Sequence, residues 1–132
     1  VAEQLHLSEL AARPYTVNCD LQLAEIFKSD EVLIGNTITN VGFYGPQSRQ
    51  LRLKPAHLHL NSSIESFNYD EEKLTNLEME TAGIYAMSSL LGHRAVSLNA
   101  ILANRATGEF SKNPKSIVEK LITFTLQQIV DN

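Results

Sequence analysis

The chain contains no tryptophan, only one cysteine, Cys19, and no apolar run near the roughly 20 residues needed to cross a bilayer. One thiol excludes an internal disulfide framework and a cysteine-rich zinc site, and it sets the expectation of a reducing, cytoplasmic location. Basic residues are also scarce. Eleven Lys plus Arg face fifteen Asp plus Glu, for a net charge of −4, so the domain as a whole has no basic footprint for nucleic acid. No Gly-x-Gly-x-x-Gly, Walker loop or Gly-x-Ser-x-Gly elbow occurs, which leaves nucleotide triphosphates and serine-hydrolase chemistry without support. The acidic cluster and late lysine of a phospho-receiver domain are not found either. Internal repeats, low-complexity tracts and long charge runs are absent. With 43% hydrophobic and 20% charged residues, residues 1–132 read as a single globular domain.

The chain opens Val1-Ala2-Glu3-Gln4-Leu5-His6, with no initiator methionine and no basic n-region before an apolar core. The expectation is that something upstream has been removed. Residues 1–17 are weakly patterned, and Arg13-Pro14 argues against a continuous helix there.

From residue 18 onward helical and extended signals alternate. Asn18 or Asp20 can cap a short helix with apolar Leu21, Leu23, Ala24, Ile26 and Phe27. Residues 31–39 are rich in β-branched side chains and predict a largely buried strand. Leu51 and Leu53, then Leu58 and Leu60, alternate with polar residues but change parity across Pro55, which predicts two short strands or one bulged strand. Residues 61–73 are polar and read as irregular, with room for a turn of helix. Leu74 to Met79 reads as extended. Ala82, Tyr85, Ala86, Ser89 and Leu90 recur at helical spacing, with Gly92 placed for a left-handed cap. Residues 94–103 are almost wholly apolar or small and predict a central strand covered on both faces. Asn113-Pro114 opens a closing helix whose stripe is Ile117, Val118, Leu121, Ile122, Ile129 and Val130. This order of elements argues an α/β layered domain.

Three polar clusters fall at element ends, where open α/β sheets hold their ligands. The first is Phe43-Tyr44-Gly45-Pro46-Gln47-Ser48-Arg49, an aromatic surface, an amide and a guanidinium on a backbone stiffened by proline. It suits a planar heterocycle that packs on Phe43, exchanges a donor and an acceptor with Gln47, and receives a hydrogen bond from Arg49. It also reads as a solvated turn with a surface arginine. The second is Glu78-Met79-Glu80, ahead of a helix. A carboxylate there can accept both hydroxyls of a vicinal diol such as ribose, with Met79 on the sugar and Gly83 permitting close approach. The plainer alternative makes Glu80 a first-turn acid and Met79 a core residue. The third is Asn104-Arg105, at the end of the expected apolar strand. Its arginine can donate to a polarised oxygen in a cleft, or can serve as a capping or interface residue. His57 and His59 share one face of an expected strand without a nearby third ligand, so no metal site is assigned. Cys19 has no histidine partner in sequence and reads as inert.

In this order the three clusters resemble the C-terminal half of the nucleoside phosphorylase family, and within it the uridine phosphorylases. The likeness runs from about Arg13-Pro14-Tyr15 to the closing helix. It implies a layered α/β/α domain with a mixed central sheet, part of a phosphorylase/hydrolase-like fold. It further implies reversible phosphorolysis of uridine to uracil and ribose 1-phosphate. On that resemblance Phe43 packs on the uracil and Gln47 pairs with its amide edge, while Arg49 and Arg105 stabilise charge as the base departs. Glu80 holds the ribose hydroxyls, Met79 lines the sugar and Glu78 is a lesser contact. The partners implied are a nucleoside and inorganic phosphate as co-substrate, with no cofactor and no metal, in a homo-oligomer. Nucleic acid and membrane are not expected partners. The chain is roughly half the usual family length, and the phosphate loop of relatives has no counterpart in it. The expectation is a portion of a phosphorylase that does not turn over alone. Two rival readings stand beside this one: a purine nucleoside phosphorylase or nucleosidase of the same fold, and a non-catalytic nucleoside-binding fragment. Asn104-Arg105-Ala106-Thr107, where purine-specific relatives place an Asp, and the Gln47/Arg49 pair favour a pyrimidine.

Overall fold

The computed structural model describes residues 3–4 and 13–132, so most of the weakly patterned N-terminal stretch lies outside the described residues. The elements are helices and strands in mixture, as an α/β reading expects. The chain divides into two compact units, one holding Gly35–Gly83 and the described part of residues 1–17, the other Asn18–Ile34 and Ile84–Asn132.

The first unit is organised by two strands. β1 (Asn36–Thr39) and β2 (Leu74–Glu78) pair in parallel, Thr37 opposite Asn76 and Thr39 opposite Glu78, with a register shift between Asn36 and Thr37. The strand expected over 31–39 is therefore cut to its last four residues. The chain turns at its start, where the Val32 N–H donates to the Ser29 carbonyl, and Leu33 and Ile34 stand exposed. β-branched composition favours extension, but only the residues that find a ladder partner become strand. A second expectation fails between the strands. Residues 51–59 are bends and turns, and Leu60–Glu65 is a short helix, α2. Pro55 offers no N–H to a ladder, and Leu51, Leu53 and Leu58 are exposed, while Leu60 and Phe67 supply buried apolar surface. Just before β2 the chain reverses at Tyr69–Glu72, whose two backbone groups bond reciprocally at 3.2 and 2.9 Å. Asp70 and Glu71 both take positive φ there, the geometry of a type I′ turn.

The second unit carries clear end signals. α1 (Leu21–Ile26) is capped by Asp20, whose carboxylate accepts from the Leu23 N–H at 2.7 Å, and Phe27 after it is buried against Phe124, ring centroids 6.5 Å apart. The helix after β2, α3 (Thr81–Leu90), begins in the first unit and runs through the second. It closes in a Schellman motif: the His93 N–H donates to the Ser88 carbonyl at 2.8 Å, and Gly92 donates to Ser89. Gly92 sits at φ 75°, a conformation any β-carbon would strain. Residues 94–102 form no strand. The run has no ladder neighbour among the described residues, and its polar backbone groups bond singly, Ala95 C=O from Asp20, Ser97 N–H to the Tyr85 hydroxyl and Leu102 C=O from Ser111. An apolar run predicts burial more securely than it predicts a sheet, and here even burial is partial. Beyond it lies a hairpin of β3 (Ala103–Asn104) and β4 (Glu109–Phe110). α4 (Pro114–Asp131) begins at the expected Asn113 cap. Its stripe is only partly covered: Ile117 and Leu121 are half-buried, while Ile122, Ile129 and Val130 stand exposed. Among the described residues no helix is long and apolar enough to cross a membrane.

Candidate functional site

Parallel pairing decides what lies next to what in the first unit. Because β1 and β2 run the same way and end opposite each other, the segments after them leave from one edge. The ladder continues one step further, with the Asn40 N–H donating to the Glu78 carbonyl at 2.8 Å. From there β1 hands over to the loop that carries Phe43, Gln47 and Arg49, and β2 hands over to Met79 and Glu80. This is the carboxyl edge of a parallel pair, where ligands of open α/β sheets bind.

The loop is built as a compact hook. Gly45–Gln47 forms one 3₁₀ turn with Pro46 inside it, and the Gln47 and Arg49 N–H groups both donate to the Tyr44 carbonyl, at 3.0 and 2.9 Å. Ser48 takes φ 57° to close the hook. Gly42 approaches Pro46 so closely that an added β-carbon would lie 3.2 Å from Pro46 Cγ. The backbone thus brings three predicted side chains together. Arg49 Nη1 donates to the Phe43 carbonyl at 2.5 Å and to Gln47 Oε1 at 2.8 Å, and its guanidinium carbon stands 3.6 Å from the centroid of the Phe43 ring. Tyr44 meets Phe43 edge-on, centroids 5.3 Å apart. Gln47 is buried at 5% exposure, whereas Phe43 is half-exposed at 50%. Two polar atoms close to this hook in sequence, Asn40 Nδ2 and Ser48 Oγ, are buried without a partner. Buried groups of that kind are rare enough to need a reason.

The second cluster divides by role. Both Glu78 carboxylate oxygens are engaged within the protein. Oε2 accepts from the N–H groups of Glu80 and Thr81, each at 2.6 Å, and Oε1 accepts from the Thr39 hydroxyl. Burial works to raise the Glu78 pKa, but the hydrogen bonds from Thr39, Glu80 and Thr81 outweigh it and hold the carboxyl below its ordinary value. Met79 and Glu80 are exposed, and the Glu80 carboxylate accepts a 3.2 Å bond from the Met79 N–H. The space a β-carbon on Gly83 would occupy is open to 4 Å.

The remaining predicted residues sit on other elements. Arg105 belongs to the second unit and is the first residue of the turn joining β3 to β4, half-buried, not the end of a long strand. Asn104 beside it is occupied with that turn, its side-chain oxygen accepting from the Ala106 and Thr107 N–H groups at 2.9 and 3.3 Å. His57 and His59 lie in the turns leading into α2 rather than on a strand. Among the described residues no three His, Cys, Asp or Glu side chains gather as a metal set. Sequence reasoning missed Thr39, which joins the two strand ends. Its only signal was a hydroxyl residue closing a β-branched run.

Over 85 residues the chain is 34% identical to a uridine phosphorylase of Thermococcus kodakarensis, a match that covers 60% of this chain and 28% of that relative. The chain therefore spans less than a third of the length of the curated relative it matches. No family model and no solved structure matches it. The likeness points to a nucleoside phosphorylase-like relationship, on a shorter stretch than the motifs alone imply.

Proposed function

We propose that this chain carries the base- and ribose-binding part of a pyrimidine nucleoside phosphorylase, acting on uridine. The observation that supports the reading best is the shared edge of β1 and β2. It sends the Phe43, Gln47 and Arg49 hook and the Met79-Glu80 segment off side by side. The partial likeness to a uridine phosphorylase supports it independently.

The chemistry rests on what these groups can donate and accept. Phosphorolysis breaks the bond between the sugar anomeric carbon and the base nitrogen while a phosphate oxygen forms the new bond. Positive charge develops on the sugar and negative charge on the base. In the proposed site Arg49 donates to a base carbonyl oxygen as that charge grows, and Gln47, its amide oriented by Arg49, reads the edge where N–H and C=O alternate. Phe43 gives the ring an apolar face. Glu80, exposed at the strand edge, accepts the ribose hydroxyls, and Met79 lies along the sugar. No covalent nucleophile and no cofactor are needed, since inorganic phosphate attacks. The proposal places the whole protein in the cytoplasm as a layered α/β/α homo-oligomer in pyrimidine salvage. For Arg105 the expectation remains the one the resemblance implies, and Arg105→Ala tests it in the same titration.

Calorimetric titration of the 132-residue chain with uracil, uridine, inosine and methylthioadenosine tests the reading. Uptake of the two pyrimidine ligands, strongly weakened in Gln47→Ala and Arg49→Ala, is the expected result. Binding of inosine in preference to uridine would move the assignment to a purine enzyme, and binding of none would end it. A phosphorolysis assay on the same chain separates a binding part from a complete catalyst.

A further inference from the structure

The ends of β1 and β2 are tied by more than their ladder. The Thr39 hydroxyl does two things at once: it donates to Glu78 Oε1 and accepts from the Ala82 N–H at 2.9 Å. Glu78 Oε2 takes the next two amides, Glu80 and Thr81, at 2.6 Å each, and the Thr81 hydroxyl adds a further bond to the same carboxylate. Three successive backbone N–H groups, at residues 80, 81 and 82, are thereby held by two side chains that close the two strands. These are amides at the start of α3 that have no acceptor within the helix. Thr81 itself is buried at 5% exposure, so this junction is a packed element rather than a frayed one. Between the fixed points, Met79 and Glu80 are left exposed at the edge.

We propose that Thr39 and Glu78 are positioning residues, a clasp that sets the height and direction of Met79-Glu80 relative to the hook after β1. The inference rests on the proposed function and deepens it. Glu78, whose carboxylate is engaged internally, orients the sugar-binding segment in place of contacting the sugar. The clasp governs the ribose end of the ligand alone, because the hook keeps its own shape through the Tyr44 carbonyl and the Arg49 bonds to Phe43 and Gln47. Serine in place of Thr39 retains the hydroxyl and hence both bonds; valine retains the shape and loses both.

Comparing uridine with uracil isolates the clasp. Thr39→Val in the 132-residue chain is expected to weaken uridine binding about tenfold or more, the loss of one charge-assisted hydrogen bond that fixes geometry, with uracil binding unchanged. Thr39→Ser is expected to restore uridine binding. Glu78→Gln, which keeps the size but weakens the acceptor, is expected to weaken uridine binding in the same direction. Hydrogen exchange at the Thr81 and Ala82 amides reports the clasp without any ligand, and faster exchange is expected in Thr39→Val but not in Thr39→Ser. Equal uridine affinity in wild type and Thr39→Val overturns the clasp and leaves the functional reading standing. Parallel loss of uracil and uridine in Thr39→Val also overturns it, since the damage is then general. A wild-type chain that takes up neither ligand overturns the functional reading, and the clasp's role with it.

Discussion

The guanidinium of Arg49 stands 3.6 Å from the centroid of the Phe43 ring and also bonds to the Phe43 carbonyl. A flat cation thus lies on an aromatic face that the proposed function gives to a flat, neutral heterocycle. The two demands are compatible if the base meets the hook by exchanging with the guanidinium, which then turns from the ring to the base oxygen. A cation over an aromatic ring is worth about 0.5–1 kcal/mol at exposed sites, small enough for a ligand to displace.

Arg49→Lys is expected to bind uracil about tenfold more weakly than the wild type, and Arg49→Ala more weakly still. Lysine keeps the charge but loses the planar fork that donates to Gln47 while resting on Phe43. On the proposed function, the same substitutions in a complete enzyme are expected to lower phosphorolysis rates by about 10²–10³, the usual cost of removing a donor at a developing negative charge. Titration calorimetry and initial rates measure the two effects. Lysine performing as well as arginine would contradict the assigned role.

What could be read ahead of the structure was local. Asp20, Gly92 and Asn113-Pro114 mark helix ends because capping is decided within one turn, between neighbours in sequence. The hook was legible for the same reason, since its contacts join residues at most six positions apart. Strands were not. Whether Leu33 or Leu98 belongs to a sheet depends on a partner strand far along the chain, and composition does not report it. The clasp was invisible on the same ground: Thr39 and Glu78 are brought together only by the parallel register of β1 and β2. Glu78 could be named from its Glu-Met-Glu context, but its engagement with the backbone needed the fold.

The pH dependence of folding carries the clasp's signature. Glu78 has an ordinary pKa of 4.5 and a lower one in the folded chain, where hydrogen bonds favour the carboxylate despite burial. Its contribution to stability is therefore fully present above that ordinary value. As pH falls below it, the unfolded chain takes up a proton before the folded one does, and the contribution is lost by the time pH has passed through the folded value. Urea unfolding of wild type and Glu78→Gln across this range is expected to show a gap that is widest near neutral pH and narrows in acid. A gap independent of pH would assign the difference to shape rather than charge.

Gly92→Ala tests the end of α3. The residue holds φ 75° in the Schellman motif, with the Ser88 and Ser89 carbonyls depending on the chain reversing there. Beyond its chain neighbours an alanine β-carbon there meets nothing within 4 Å, so the cost is that of the left-handed backbone itself and not of crowding by other elements. The expected destabilisation is about 1 kcal/mol, measured as a lower urea midpoint with an unchanged slope.

The two N-caps of the second unit give a graded comparison. Asp20 accepts from the Leu23 N–H at 2.7 Å and its own N–H donates to the Ala95 carbonyl, so it fastens α1 to the segment after α3. Asn113 accepts from the Ser116 N–H at a looser 3.4 Å, with Pro114 already shaping the first turn of α4. Asp20→Ala is expected to cost about 1 kcal/mol or somewhat more, toward the upper part of the range for lost caps, and Asn113→Ala about half that. The ionised cap gains further from the positive end of the helix, an advantage that salt screens. Raising the salt concentration should therefore narrow the deficit of Asp20→Ala and leave that of Asn113→Ala as it was. Alanine keeps the backbone bond to Ala95, so the deficit reports the lost side-chain cap alone, and equal deficits with equal salt response would show that the charge of Asp20 adds nothing to its role as an acceptor.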